Sequence, residues 1–290
     1  MSILKKTLSI LAGFLLIFML AACNQTATPV NKEGTNKTEP EVTEKPSELT
    51  LEEVLEKSTE ASNGLKSFSV KMDVEQDMSS DQEELNMNTQ SIIEMDVVTD
   101  PMAFYQKMTM SLADTGENFQ TESYFSEDGM FFYEPSGQQW MKFPQEMTDA
   151  FLQMAGQQSN PGDELKKLQK FVEDFTFEQD AKNYILKLKA SGDKFNDFIK
   201  ETAAEALPPE MAMEGLMDDM KINAVEYEFL IDKESFYPVA LDVLMEMEMT
   251  IEDQTIVMKQ KMNGQYSKLN EIEAITVPQE VIDSAVEMEF

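Results

Sequence analysis

Val239-Ala240-Leu241-Asp242-Val243-Leu244-Met245-Glu246-Met247-Glu248-Met249-Thr250-Ile251 is the stretch on which the fold turns. Val239, Leu241, Val243, Met245, Met247, Met249 and Ile251 hold one parity throughout. Side chains alternate between faces along a strand and wind round a helix every 3.6 residues, so this pattern predicts one long strand with an apolar face. At about 3.3 Å per residue it spans about 43 Å. Glu246 and Glu248 then project from the other face, which makes the sheet wet on one side.

Working outward, Ile256, Met258 and Met262 supply the hairpin partner, with Lys259 on its polar face. Upstream, Val225, Tyr227, Phe229 and Ile231 alternate before a turn over 232–236, whereas the methionine-rich acidic segment from Met211 to Met220 has no readable period. The amino-terminal half repeats the texture. Phe68, Val70, Met72, Val74 and Met78 mark one strand; Leu85, Met87, Ile93, Met95 and Val97 a second; Met102, Phe104, Met108, Met110 and Leu112 a third, opened by Pro101. Shorter strands over 119–125, 130–133 and 138–143 follow, joined at Asp128-Gly129 and Ser136-Gly137. Two more fall at 175–177 and 184–188, and the chain closes with an apolar-patterned tail at Val281, Ile282 and Val286.

Helices are few. Thr50 followed by Glu53 is a capping-box pattern opening a helix that ends at Asn63-Gly64. Helical spacing also appears from Pro144 through Met154, over 163–173, and from Phe195 to Leu207, where Pro208-Pro209 stops it. The class is α+β, dominated by long antiparallel strands, with 50–290 as one domain. Its apolar side needs a cover, and with so few and modest helices the sheet either curls on itself or keeps an apolar hollow beneath them.

Ahead of the domain, Lys5 and Lys6 precede an uncharged apolar run from Leu8 to Leu20, the build of a secretory signal and too short to span a bilayer comfortably. Cys23, the one cysteine in 290 residues, follows Leu20-Ala21-Ala22. This resembles the lipobox of bacterial lipoproteins, in which a diacylglyceryl group with palmitate-class chains is attached to the cysteine and a peptidase cuts before it. The resemblance implies residues 1–22 as signal peptide, cleavage between Ala22 and Cys23, and Cys23 as the lipidated first residue of the mature chain. Residues 23–49, rich in Thr, Pro, Asn, Lys and Glu, then read as a flexible tether that cannot offset its ordering entropy by burial.

The formal net charge is −32, and signal cleavage removes two lysines and no acid. Every cation is lysine, since arginine is absent. Nucleic acid is therefore excluded as a partner by charge. With no histidine and the lone cysteine acylated, Ser-His-Asp and Cys-His catalysis, histidine-type zinc sites and disulfides are excluded as well. Adjacent acids such as Asp218-Asp219 and Glu173-Asp174 read as solvated faces, and no phosphate-binding glycine loop or calcium loop appears. The expectation is a non-enzyme without metal or cofactor.

The 23 methionines are the unusual feature, often at every second residue. They read as pliable core filling, as an adaptable wall for acyl chains, or as thioether ligands for Cu(I); without imidazole or thiolate beside them, core and lipid wall come ahead of copper.

The element order, with Ser67-Phe68-Ser69-Val70, Phe132-Tyr133-Glu134 before Trp140, Ile231-Asp232-Lys233 to Tyr237-Pro238, and Asn270-Glu271 to Val277-Pro278, resembles the lipoprotein-carrier fold of LolA, LolB and the LppX group, most of all the LppX-like lipoproteins of Bacillus and its relatives. That resemblance implies an unclosed half-barrel whose concave face is covered by helices, and residence on the extracytoplasmic face of a Gram-positive cell membrane. It makes Met72, Phe104, Met108, Met110, Tyr227, Phe229, Met245, Met247, Met249 and Met258 the candidate lining of a cavity for a lipid or other hydrophobic ligand. The chain departs from LolA in lacking the arginine that holds its lid. The alternative reading is a protein-interaction or envelope-sensor module with a filled core and an acidic surface for a partner.

Overall fold

In the computed structural model, residues 26–30, 47–80, 86–113, 115–149, 161–191, 195–198, 220–251 and 254–288 are described. The Lys5–Cys23 signal and lipobox, and 211–219, lie outside them. The strands are β1 (Thr28–Pro29), β2 (Ser67–Ser80), β3 (Met87–Thr99), β4 (Met102–Leu112), β5 (Asn118–Ser126), β6 (Gly129–Glu134), β7 (Gln139–Lys142), β8 (Phe175–Gln179), β9 (Asn183–Ala190), β10 (Met220–Asp232), β11 (Pro238–Ile251), β12 (Gln254–Ser267) and β13 (Val286–Glu287). The helices are α1 (Leu51–Asn63), α2 (Pro161–Leu168), which runs into a 3-10 turn at Gln169–Asp174, and α3 (Gln279–Ser284), with helical turns at 145–149 and 195–198.

All thirteen strands belong to one sheet, ordered β1-β8-β9-β10-β11-β12-β2-β3-β4-β5-β6-β7-β13. The two meanders, β2 to β7 and β8 to β12, join where β12 pairs β2. The pairing of amino-terminal and carboxy-terminal strands fuses both halves into one body. The ends, β1 and β13, are not paired with each other, so the large curled sheet stays unclosed.

β11 spans Pro238–Ile251, as its parity predicts, and pairs β12 without a slip from Ala240 to Ile251. β10 departs from simple alternation. It begins at Met220, inside the segment whose period is unreadable, and a bulge between Ile222 and Ala224 shifts its phase. Ile222 and Val225 consequently share one face, opposite Met247 and Met245. Asn196 holds the bulge: its side-chain amide donates to the Ile222 carbonyl, and its oxygen accepts from the Ile222 N–H.

α1 has the capping box its sequence predicts. Thr50 Oγ1 accepts from the Glu53 N–H at 3.2 Å, and the Glu53 carboxylate accepts from the Thr50 N–H at 2.8 Å. The helix buries Leu51, Val54 and Leu55 against Leu165, Leu168 and Phe171, and this group continues into Phe175, Leu186, Leu188, Ile222, Val225 and Phe229 of the sheet. Phe195 and Phe198 complete it, each ring about 5 Å from Phe171. A second buried group, Phe68, Val70, Val97, Phe104 and Phe125, lies across β2 to β5 on the same face. A third joins Phe131 to Val277 and Val281, where the carboxy-terminal segment with α3 packs on the opposite face of β5–β7.

Residues 26–30, read from sequence as part of the tether, instead belong to the fold. Thr28 and Pro29 pair in parallel with Glu178 and Gln179, the Val30 N–H donates to the Gln179 carbonyl, Thr26 bridges Thr50, and Ala27 is fully buried. Two residues of parallel pairing carry no periodicity, so local pattern does not announce them.

Two neighbouring turns share an aspartate device. Asp232 accepts from the N–H groups of Glu234 and Ser235 and from the Ser235 hydroxyl; Asp180 accepts from the N–H groups of Lys182 and Asn183. For Asp232 burial pushes the carboxyl pKa up, but these bonds outweigh it and hold the group below the usual carboxylate range. A depressed folded pKa contributes stability that is complete above the unfolded value of about 3.9 and lost as pH falls through the folded one. Asp232→Asn should therefore cost about 1 kcal/mol at pH 6, and the gap to wild type should close as pH falls below about 4. Urea midpoints measured across that range test this; a gap independent of pH would contradict it.

Candidate functional site

The candidate site is the apolar face of the sheet. Residues directly opposite in an antiparallel ladder share a face, with Cβ atoms about 4.5–5.5 Å apart. Following the register across strands builds rows. One runs Phe229, Leu241, Gly264, Met72, Ile93, Met108. The next runs Tyr227, Val243, Met262, Val74, Ser91, Met110, Phe119. Beyond it lie Val225, Met245, Gln260, Gln76 and Thr89, then Ile222, Met247, Met258, Met78 and Met87, and finally Met249 and Ile256.

All ten candidate lining residues thus fall on one face, but they divide in burial. Tyr227 and Phe229 belong to the core beneath the helices, their rings 5.9 Å apart and near parallel. Phe104 stacks on Phe125 at 5.4 Å inside the second core. Met245 and Met247 pack against the first core and Met72 against the second. Met108, Met110, Met249 and Met258 are half-buried and belong to neither. At this end of the face Met87 and Phe119 are 40% and 38% exposed. Met78, Met87 and Met262, which the list drawn from the sequence omits, occupy the same face; their parity with Phe68, Val97 and Met258 is the signal that places them.

Over β8 to β12 and β2 the opposite face is a lattice of charge. Lys187 lies 2.6 Å from Glu178 and 3.8 Å from Glu228; Lys189 pairs with Glu226, Lys259 with Glu246 and Lys261 with Glu75. The Glu178 hydrogen bond, above all, raises the Lys187 pKa. Exposed pairs of this kind contribute about 0–1 kcal/mol each, so they set register and solubility more than stability. Two hollows, about 220 and 410 Å³, open on this charged side around Leu244. The larger is lined by residues from β10 to β3, among them Glu226, Lys261, Glu75 and Gln90. Such alternating, mutually neutralised charges suit water and ions better than an apolar ligand.

Tyr105, Tyr124, Trp140 and Tyr133 form a chain of rings 4.8, 5.7 and 5.4 Å apart. Tyr105 donates to Glu122 at 3.0 Å, and burial first, then this bond, raises its phenol pKa. Tyr124 and Trp140 pack against the core of Phe131 and Val277, so this part of the chain of rings serves packing. Among the described residues no helix is long and apolar enough to cross a membrane.

A family model described as a family of unknown function (DUF6612) matches residues 50–286. No curated protein matches the chain. Among solved structures, lipovitellin is similar at 6% identity and a TM-score of 0.31, covering 76% of this chain; the chain spans 26% of that protein's length. A β-barrel-like protein of the DUF1849 domain from Brucella abortus is similar at 11% identity and a TM-score of 0.22, covering 69% of this chain and 98% of its own. A DUF1329 family protein from Desulfovibrio piger is similar at 9% identity and a TM-score of 0.24, covering 77% and 97%.

Proposed function

We propose that this chain, which belongs to the DUF6612 family of unknown function, is a lipid-anchored extracytoplasmic protein that binds an acyl chain on the apolar face of its sheet and catalyses no reaction. The observation that supports this reading most directly is the division of that face. The helices bury one end, whereas Met78, Met87, Met108, Met110, Phe119, Met249 and Met258 leave the other half-buried or exposed. A solvated sheet face would carry the alternating charges seen on the other side, not a run of thioethers.

In this reading the protein works as an unclosed half-barrel of the LolA or LppX type. α1, α2 and the 195–198 turn cover the concave side at one end, and the ligand lies along the uncovered remainder. Methionine suits the role because its unbranched side chain adapts to a flexible chain without a fixed shape. About ten buried methylenes contribute about 8 kcal/mol before the costs of association, enough for reversible carriage but not permanent capture. Cys23 anchors the molecule through its acyl chains.

Native mass spectrometry of residues 24–290, mixed with phospholipid and with free fatty acid, tests the reading. The expected result is a mass increment of one acyl-bearing molecule. A body that carries and takes up none would overturn it and leave the second reading, an interaction module with a filled core; the burial of Phe104, Tyr227 and Phe229 favours that alternative.

A further inference from the structure

We infer that the row Met247–Met258–Met78 is a binding site for Cu(I). The sequence shows only that methionines recur at alternate positions. The register shows that three from three different strands meet: Met247 lies opposite Met258, and Met258 opposite Met78. Met87, opposite Met78 on the next strand and 40% exposed, extends the row to solvent. Neighbouring strands are about 4.8 Å apart, and each thioether swings on three rotatable bonds, so adjacent sulfurs can converge on one ion.

The donors around the row decide which ion. The carboxylates nearest in sequence, Asp77, Glu246 and Glu248, stand at the intervening positions and face the opposite side, where Glu246 pairs with Lys259. Among the described residues no group of three or more His, Cys, Asp or Glu is placed to hold a metal. Among the described residues, what this face offers beside the row is thioether sulfur with neutral side chains from the adjoining row, Gln76, Gln260 and Thr89. Neutral soft donors without imidazole, thiolate or carboxylate discriminate against Zn²⁺, Mg²⁺, Ca²⁺ and Fe²⁺ and favour Cu(I). Binding is coordination of the monovalent ion itself, with no change of oxidation state and no proton released.

A second feature marks the row as oriented. The Gln76 side-chain amide donates to Met258 Sδ at 3.0 Å, so an amide on the β2 side fixes the central sulfur. A thioether has a second lone pair, which stays free for the ion. At half-buried strand positions β-branched side chains would serve packing better, and Val74 and Val243 show that the chain uses them two rows away.

The test uses the whole mature lipoprotein in detergent, titrated anaerobically with Cu(I) against the chelator bicinchoninate. One ion per chain is expected. Its X-ray absorption should show sulfur neighbours and no nitrogen. The triple variant Met78→Leu, Met247→Leu, Met258→Leu removes three sulfurs at nearly constant volume, a swap that cores tolerate. Its affinity should fall about a hundredfold or more while circular dichroism stays unchanged. Wild-type protein that takes no Cu(I) from the chelator, or a nitrogen- or oxygen-only absorption signature, would overturn the proposal whether or not the variant folds. Lipid uptake is read on the copper-free wild-type protein by native mass spectrometry, so failure of the copper site and failure of the acyl reading are separable.

Discussion

A chain carrying Cys23→Ala is expected to leave the membrane pellet almost entirely and appear in the soluble fraction. The physical reason is the size of the anchoring energy against everything else that could hold the protein there. Two acyl chains at about 0.8 kcal/mol per buried methylene supply tens of kcal/mol of gross affinity, whereas a single chain holds only marginally. The rest of the molecule opposes binding: its formal net charge is −32, so an anionic surface repels it. Ultracentrifugation of membranes, with immunodetection in pellet and supernatant, reads the result. If the variant pelleted like wild type, the lipobox reading of Ala22-Cys23 would fail, and membrane residence would have to come from a retained apolar run at 8–20.

The second large effect concerns the body itself. Phe125 is fully buried, stacks on Phe104 across the β4–β5 ladder, and touches the group formed by Phe68, Val70 and Val97. Removing its ring leaves a cavity that a sheet cannot collapse into, because both flanking strands are hydrogen-bonded in place. Phe125→Ala should cost about 3–5 kcal/mol, a large part of the 5–15 kcal/mol that a domain typically has, and lower Tm by about 10 °C. Met87→Ala, on the same face but 40% exposed, should cost less than about 1 kcal/mol. Parallel thermal melts of the two variants check the contrast. Equal losses would mean that the exposed end of the face is as tightly packed as the core.

That contrast also separates what a reader of the sequence can see from what only the structure supplies. The parity of β2, β3, β4 and β11, and the capping box of α1, are local signals, and each element lies where its residues predict. Which stretch of an apolar face is buried and which is bare is not local. It depends on where α1, α2 and the 195–198 turn land, and a period of two is the same under a helix as beside it. Ile222 escaped because the bulge at 222–224 breaks the alternation that identifies Val225, Tyr227 and Phe229. The methionine row escaped for a related reason. Met78 and Met258 are 180 residues apart in the chain, and only the pairing of β12 with β2 brings them side by side.

Of the features of the fold, β1 has the widest reach. Thr26 bridges α1's cap residue and Thr28 is hydrogen-bonded into the sheet edge, so with Cys23 acylated as proposed, just two residues, Asn24 and Gln25, separate the anchor from the folded body. Three Cα steps reach at most about 11 Å. Val30 and Ser47 both belong to the fold, so the residues between them add nothing to that distance. On the proposed anchoring, the molecule would be on a short leash, moored by the β1–β8 edge rather than floating at the end of a long line. Its stand-off would then be close to the Debye length of about 8–10 Å, at which repulsion between the acidic surface and anionic headgroups is still felt. Repulsion cannot push the body away at that range; it can only turn it, so tether and charge together act as a rudder that decides which side of the sheet faces the bilayer.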